Sequence, residues 1–224
     1  MKKGLIIFLI VFVVLAIALT VKIVNSPIKD VLVSGFKMFS DISKQNKMYR
    51  EADIEELVKL DDHSLYEAIG SRILAKIDFN NYEASFSALN EFEQTFWVVY
   101  EFDAENLNGG LCQYFDNTRG RDFNRIVDDL KVIGADGYAS LYTDFVKENK
   151  INAEEFKDGV NEDWETRYNK YPYDKFDDAF GKLYMEEKAL DSYLAEYVRV
   201  NSEYFKWFFT ALSCDEAVYL LHFY

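Results

Sequence analysis

The chain has little histidine and little cysteine. Its 224 residues include two histidines, His63 and His222, and two cysteines, Cys112 and Cys214. So few imidazoles and thiolates exclude most histidine-dependent acid–base chemistry and most zinc sites. Two cysteines about a hundred residues apart do not form a disulfide framework. We expect free, buried thiols, because cysteine is among the most often buried residue types, and a pair between the two cysteines remains the alternative.

The sequence motifs of the common enzyme classes are also lacking. No Walker loop, nucleophile elbow or dinucleotide fingerprint occurs, and Gly109-Gly110 lacks the preceding strand and the lysine that a phosphate loop needs. Carboxylate pairs carry no information in a chain with 39 Asp and Glu. We therefore predict a protein that is not an enzyme and that binds no cofactor and no metal ion. A hydrolase that uses Asp103 and Glu105 is a minor alternative.

Proline and glycine are scarce, with two and ten residues. Because these residues interrupt helices, their scarcity favours long helices. Asp53, Ser64 and Asn152 each precede a glutamate by three residues, which is the spacing of a capping box at a helix start. Apolar residues recur at helical intervals, and the last such pattern predicts one long helix from Phe176 to about Phe205. The sequence therefore predicts an all-α fold. Two predicted core stripes are Leu65, Ala68, Ile69, Ile73 and Ile77, and then Phe86, Leu89, Phe92, Phe96, Val99 and Tyr100.

Charge is missing from residues 4–21, a run about as long as a helix needs to cross a bilayer. Ala16-Ile17-Ala18 has the form of a signal-peptide cleavage site, but the chain stays apolar through Val24, which favours an uncleaved anchor. Lysines flank both ends, so the positive-inside rule leaves the side of the membrane open. We expect a single-pass membrane protein in which a transmembrane helix, residues 1–24, contacts the lipid bilayer through residues 4–24 and precedes a compact multi-helix domain.

Positive charge is scarce in the rest of the chain. The net charge of the chain is −14, but it is unevenly distributed. Residues 1–50 contain eight Lys and Arg and two Asp and Glu, a net charge of +6. Residues 51–224 contain the other 17 Lys and Arg and 37 Asp and Glu, a net charge of −20. This division predicts a basic juxtamembrane linker, residues 25–50, and an acidic helical domain, residues 51–224. The linker fits either a segment that lies on anionic headgroups or a solvated spacer. The acidic domain should repel nucleic acid and attract basic proteins.

Carboxylates at helical spacing form the candidate partner surface. Residues three or four apart on a helix lie about 5–6 Å from each other, which is close to the spacing of phosphates along a nucleic-acid strand. A solvated acidic face that keeps the protein soluble is the alternative. The candidate surface consists of Glu154, Asp158, Glu162, Glu165, Asp174, Asp177 and Asp178.

The segment from Glu105 to Gly120, called here the glycine corner, concentrates glycine, amide and aromatic residues between two helical patterns. Gly109 and Gly110 allow backbone angles that other residues avoid, and we expect Asn108 and Asn117 to cap helix ends while Gln113 ties the turn together. The corner therefore fits a joint that sets two helices at an angle, with a ligand pocket as the alternative. Its motif residues are Glu105, Asn108, Gly109, Gly110, Gln113, Tyr114, Phe115, Asn117 and Gly120.

The motif, together with Ile133-Gly134-Ala135 and Asp177-Asp178-Ala179-Phe180, resembles the signature of the bacterial DNA-mimic protein family over about residues 61–205. The resemblance implies an all-α domain that is often a homodimer. The function it implies is antagonism of a DNA-binding transcription factor through an acidic surface.

Two hypotheses about function result. The first is a membrane-tethered acidic module, without catalysis, that binds a basic partner protein and no nucleic acid directly. The second is a domain that binds a toxin or an envelope component, as an immunity protein does, through Asn108-Gly109-Gly110 and the aromatic C-terminus. The salt dependence of binding distinguishes the two hypotheses, because salt screens the attraction between the acidic domain and a basic partner and must weaken that binding.

Overall fold

The computed structural model describes residues 42–157 and 163–206, and within these ranges the protein is helical with no strand. The predicted all-α class is thereby confirmed. The chain divides into two units, Met1–Met48 and Tyr49–Tyr224, and of the first only the helical residues 42–48 are described. No helix within the described ranges is long and apolar enough to cross a membrane. The predicted anchor, most of the linker, Cys214 and the aromatic C-terminus lie outside the described residues.

The described part of the second unit is built from α-helices joined by short turns. Two 3₁₀ turns, Phe79–Asn81 and Ser202–Phe205, and one π-helical turn, Leu183–Glu187, interrupt the series. The helices are α1 (Ile54–Leu57), α2 (Asp62–Leu74), α3 (Tyr82–Ser87), α4 (Glu91–Thr118), α5 (Arg125–Val132), α6 (Asp136–Asn149), α7 (Glu154–Lys157), α8 (Trp164–Tyr168), α9 (Tyr173–Lys182) and α10 (Leu190–Val200).

Helix α4 is the centre of the fold, since α2, α5, α9 and α10 all pack against it. Four consecutive residues, Phe96 to Val99, are fully buried, as expected of a helix surrounded on all sides. Its start is fixed by Asn90, whose side-chain oxygen accepts the backbone N–H groups of Phe92 and Glu93, while the Glu93 carboxylate accepts the Asn90 N–H. This capping box was not predicted from the sequence.

The first predicted core stripe is confirmed, because all five of its residues are buried; four lie on α2, and Ile77 follows its end. The predicted caps are confirmed only in part. At Asn152 the N–H donates to Glu155 Oε1 as expected, but the Asn152 Oδ1 accepts the N–H of Glu154, one residue earlier than the capping box predicts. Helix α2, however, begins before Ser64, because the Asp61 carboxylate accepts the Ser64 N–H at 2.9 Å. Asp53 precedes α1 but makes no capping hydrogen bond.

The prediction of one long helix from Phe176 to Phe205 is wrong. Helix α9 ends at Lys182, the π-helical turn follows, and Lys188 is extended with φ −148° and ψ 126° before α10 begins. The Tyr138 hydroxyl donates to the Lys188 carbonyl at 2.9 Å and fixes the break. The interruption resets the helical phase, so that Phe180 on one side and Leu190 on the other both reach the core.

Candidate functional site: the glycine corner

The glycine corner lies inside α4, where two residues leave the helical conformation. Gly109 has φ −152° and ψ 16°, and Gly110 has φ 80° and ψ −177°. The second pair of angles belongs to a region that is accessible essentially to glycine alone. These angles bend α4 between its first part, which ends at Asn108, and its second part, which begins at Leu111. The predicted joint between two helices is therefore present.

Asp177 of α9 holds the second part of α4 at its start. Its Oδ1 accepts the Leu111 N–H at 2.9 Å, and its Oδ2 accepts the Tyr168 hydroxyl at 3.4 Å. Burial raises the pKa of Asp177 above its ordinary value, and the Leu111 N–H offsets part of that rise. A Cβ atom on Gly110 would lie 2.3 Å from Asp177 Oδ2, so only glycine leaves room for this carboxylate. Asp177 thus caps the bent helix from another element.

Glu105 ties the two parts of α4 together from the inside of the bend. Its side chain is buried, and Oε2 accepts the Gln113 Nε2–H at 2.7 Å and the Asn117 Nδ2–H at 2.8 Å. Gln113 therefore ties the turn as predicted. The prediction that Asn117 caps the helix end is wrong, because its side-chain amide donates to Glu105 instead. A single carboxylate oxygen can accept both amides, since it has two lone pairs.

The aromatic members of the motif belong to the core. Tyr114 and Phe115 are fully buried, and the Phe115 ring stacks on Phe156 with 4.5 Å between centroids. Gly120, at φ 65°, donates its N–H to the Phe115 carbonyl and closes the end of α4. Asn108 remains on the surface, so it is the motif residue least involved in the packing.

One further contact connects the corner with α8. Asp116 pairs with Arg167, with 2.5 Å between Oδ2 and Nη1. Cys112 is a buried, free thiol, as predicted for this residue. Burial raises the pKa of Cys112 to about 12, so the thiol stays protonated and unreactive near neutral pH.

A buried ion cluster lies beside the corner, and sequence reasoning missed it. Arg121 donates from Nη2 to Glu101 Oε2 at 2.6 Å and from Nε to Asp122 Oδ2 at 3.0 Å. Its guanidinium lies 3.5 Å above the centre of the Tyr82 ring. Burial raises the pKa of Glu101, and Arg121 opposes that rise. Each charge has a partner, which is the condition under which buried ions are tolerated.

Asp103 and Glu105, the pair considered for hydrolysis, do not form an open site. Asp103 is fully buried and Glu105 is 4% exposed, and the Glu105 carboxylate is occupied by two amides. Among residues 42–157 and 163–206, no group of three or more His, Cys, Asp or Glu side chains could hold a metal ion.

The predicted acidic surface is described for five of its seven residues, since Asp158 and Glu162 lie outside the described ranges. Glu154, Glu165, Asp174 and Asp178 are exposed. Glu154 pairs with the exposed Lys157. Asp174 and Asp178 are one turn apart on α9. Asp177 departs from this expectation, because its carboxylate is directed to the glycine corner.

The comparisons give one match. A family model described as DMP19-like protein matches residues 87–201, which are 115 of the 224 residues. The matched range contains the glycine corner, the ion cluster and the break before α10. No curated protein matches the chain significantly, and no solved structure does.

Proposed function

The chain belongs to the DMP19-like protein family, and on that basis we propose that it is a non-catalytic acidic protein that binds a basic partner protein of the DNA-binding type. The family match carries this proposal. The charge of the acidic domain supports it, because a surface rich in carboxylates attracts the same basic side chains that bind phosphates.

The partner surface in this proposal consists of the exposed carboxylates of α7, α8 and α9. Glu165, Asp174 and Asp178 have no ion-pair partner within the described ranges, and four-residue spacing places Asp174 and Asp178 about 5–6 Å apart. Free carboxylates at this separation can meet successive cations of a partner that reads a phosphate backbone. The glycine corner has a supporting role here, because Asp177 and Asp116 connect α9 and α8 to α4.

The binding experiment uses purified basic DNA-binding proteins as probes and duplex DNA as the competitor. We expect affinity to fall steeply between about 0.05 M and 0.3 M salt, because screening weakens such contacts, and we expect DNA to displace the protein. An affinity that is independent of salt would reject this function.

A matched pair of variants locates the surface. The surface variant changes Glu154→Gln, Glu165→Gln, Asp174→Asn and Asp178→Asn. The control variant removes the same charge on α5 and α6, where all four residues are exposed, through Asp128→Asn, Asp136→Asn, Asp144→Asn and Glu148→Gln. We expect the surface variant to lose at least about tenfold more affinity than the control. Equal losses would mean that only the net charge matters.

We also propose that residues 4–24 tether the acidic domain to a membrane and that the domain faces the cytoplasm, where DNA-binding proteins are found. The uncharged run in the sequence supports the tether. Reporters fused after Tyr224, one active only in the cytoplasm and one active only outside it, test the side. An external domain would contradict a DNA-binding partner.

A further inference from the structure

Asp103 is a buried carboxyl group without a counter-ion. It lies in the first part of α4, its exposure is 0%, and neither carboxylate oxygen has a hydrogen-bond partner within the described residues. Buried polar atoms are nearly always hydrogen-bonded, and each exception requires an explanation. An ionised carboxylate in such a place is strongly unfavourable.

The groups that face Asp103 come from four elements, and none of them is a cation. Helix α2 contributes Tyr66 and Glu67, and α10 contributes Asp191. Helix α6 contributes Tyr138, and the π-helical turn contributes Tyr184. Both charged groups in this set are carboxylates, which repel a negative charge on Asp103. The nearest imidazole is farther out: His63 is largely exposed and lies 3.3 Å from the Asp191 carboxylate.

Glu101, two residues earlier on α4, shows that burial alone does not explain this arrangement. Glu101 is also buried, and burial raises its pKa to about 7 as well, but Arg121 neutralises it and Tyr82 donates a hydrogen bond to it. Asp103 has neither. Burial raises the pKa of Asp103 to about 7, the carboxylates of Asp191 and Glu67 add to the rise, and the Tyr66 hydroxyl opposes it. The charge on Asp103 therefore changes in the neutral pH range.

Of the elements that face Asp103, the π-helical turn is the least buried. None of its five residues is buried, and Met185 is 83% exposed. By contrast, α2 and α10 contribute Leu65, Leu190 and Leu194, which are fully buried. Regions with little buried surface open most readily, and a π-helical turn is an uncommon conformation that often marks functional positions.

We propose that Asp103 is a proton-operated switch. With the proton bound, the neutral carboxyl allows α4, α2, α10 and the π-helical turn to pack closely. When the proton leaves, an uncompensated negative charge favours an arrangement in which the π-helical turn, residues 183–187, moves away while the Tyr138 hydroxyl holds Lys188, and water reaches the carboxylate. The charge change and the element it displaces together form a two-state device of the kind that responds to pH.

The test is amide hydrogen exchange of the full chain as a function of pH, corrected for the intrinsic pH dependence. The open state binds the proton less tightly than the closed state, so opening becomes more frequent as pH rises toward the closed-state titration and is constant above it. We expect exchange at residues 183–190 to become at least about tenfold faster between pH 5 and pH 8, with a plateau above about pH 7. Asp103→Asn should abolish this increase, and Glu101→Gln should retain it.

A carbon-13 titration of the side chains in the unmodified protein keeps the proposal testable where a variant does not fold. The Asp103 carboxyl should titrate near neutral pH, and the amide shifts of residues 183–190 should follow the same curve. Exchange that is independent of pH, an Asp103 carboxyl that is already ionised at about pH 5, or an unchanged response in Asp103→Asn would each overturn the proposal.

Discussion

At the scale of single residues, Gly110 is the position that should tolerate substitution least. Its φ and ψ angles are strained for any other residue, and an added Cβ would lie 2.3 Å from Asp177 Oδ2. We expect Gly110→Ala to lower the free energy of unfolding by about 2–4 kcal/mol, measured in urea. Gly181→Ala is the matched control, because Gly181 lies in α9 with no atom within 4 Å of the new Cβ. A similar loss in both variants would contradict the assigned role of Gly110.

Asp177 should show its capping role in a double-mutant cycle with Gly110. Asp177→Ala removes the acceptor of the Leu111 N–H and should cost about 1–2 kcal/mol, whereas Asp178→Ala on the exposed side should change stability by less than about 0.5 kcal/mol. In the Asp177→Ala background, the Cβ atom of Gly110→Ala no longer clashes with the carboxylate. The loss of unfolding free energy caused by Gly110→Ala should then fall to the part that comes from backbone strain. Strictly additive losses, measured by urea unfolding, would mean that the two residues are not coupled.

Asp103 makes stability depend on pH in an unusual direction. Its pKa is about 7 in the folded chain and 3.8 in the reference state, so the folded state holds the proton more tightly. Stability from this group is therefore complete at low pH and is lost as pH rises toward 7. Asp103→Asn should reduce the fall in unfolding free energy between about pH 4 and pH 8 by about 2–4 kcal/mol. A fall of the same size in both proteins would exclude Asp103 as its source.

Sequence reasoning identified the glycine corner but could not determine its contacts. Adjacent glycines signal unusual backbone angles, and Gly109 and Gly110 indeed leave the helical region. Asp177, by contrast, was assigned to an acidic surface, because a carboxylate 66 positions from Leu111 carries no local signal of the amide that it accepts. Asp103 is singled out by the sequence only as a minor hydrolase candidate beside Glu105, because its burial depends on four elements that meet only in the fold.

At the scale of secondary-structure elements, the start of α4 should contribute measurably to stability. Asn90 accepts two backbone N–H groups, and its Nδ2 donates to the Tyr204 carbonyl. We expect Asn90→Ala to lower the free energy of unfolding by about 1–2 kcal/mol. Asp53→Ala is the control, because Asp53 precedes α1 without a capping hydrogen bond. Thermal or urea unfolding measures both, and equal effects would argue against the capping box.

Element boundaries were predictable where a local rule decides them. Asn152 caps α7 as its local pattern predicts: its N–H donates to Glu155 Oε1, and its Oδ1 accepts the Glu154 N–H. The break before α10 was missed, because it depends on Tyr138, fifty positions away from Lys188 in the sequence. Apolar residues on both sides of the break keep an approximately helical spacing, so periodicity alone continues the helix through it.

At the scale of the whole molecule, fold class followed from composition, but the position of the charged partners did not. Scarce proline and strong helical periodicity predicted the all-α class correctly. The sequence total of −14 gave no sign that Glu101, Arg121 and Asp122 pair in the interior. Part of the negative charge is thus paired in the interior, whereas carboxylates such as Glu165, Asp174 and Asp178 are exposed.

This distribution predicts opposite effects of salt on folding and on binding. Exposed carboxylates repel one another and destabilise the compact state, so screening between about 0.02 M and 0.3 M NaCl should raise the free energy of unfolding by about 1 kcal/mol. The same screening should weaken binding to a basic partner.

Urea, which is uncharged, allows the free energy of unfolding to be measured at each salt concentration. The variant with four neutral residues on α5 and α6 should gain less stability from salt, since it carries fewer repelling charges. Stability that falls with salt would show that the ion pairs outweigh the repulsion.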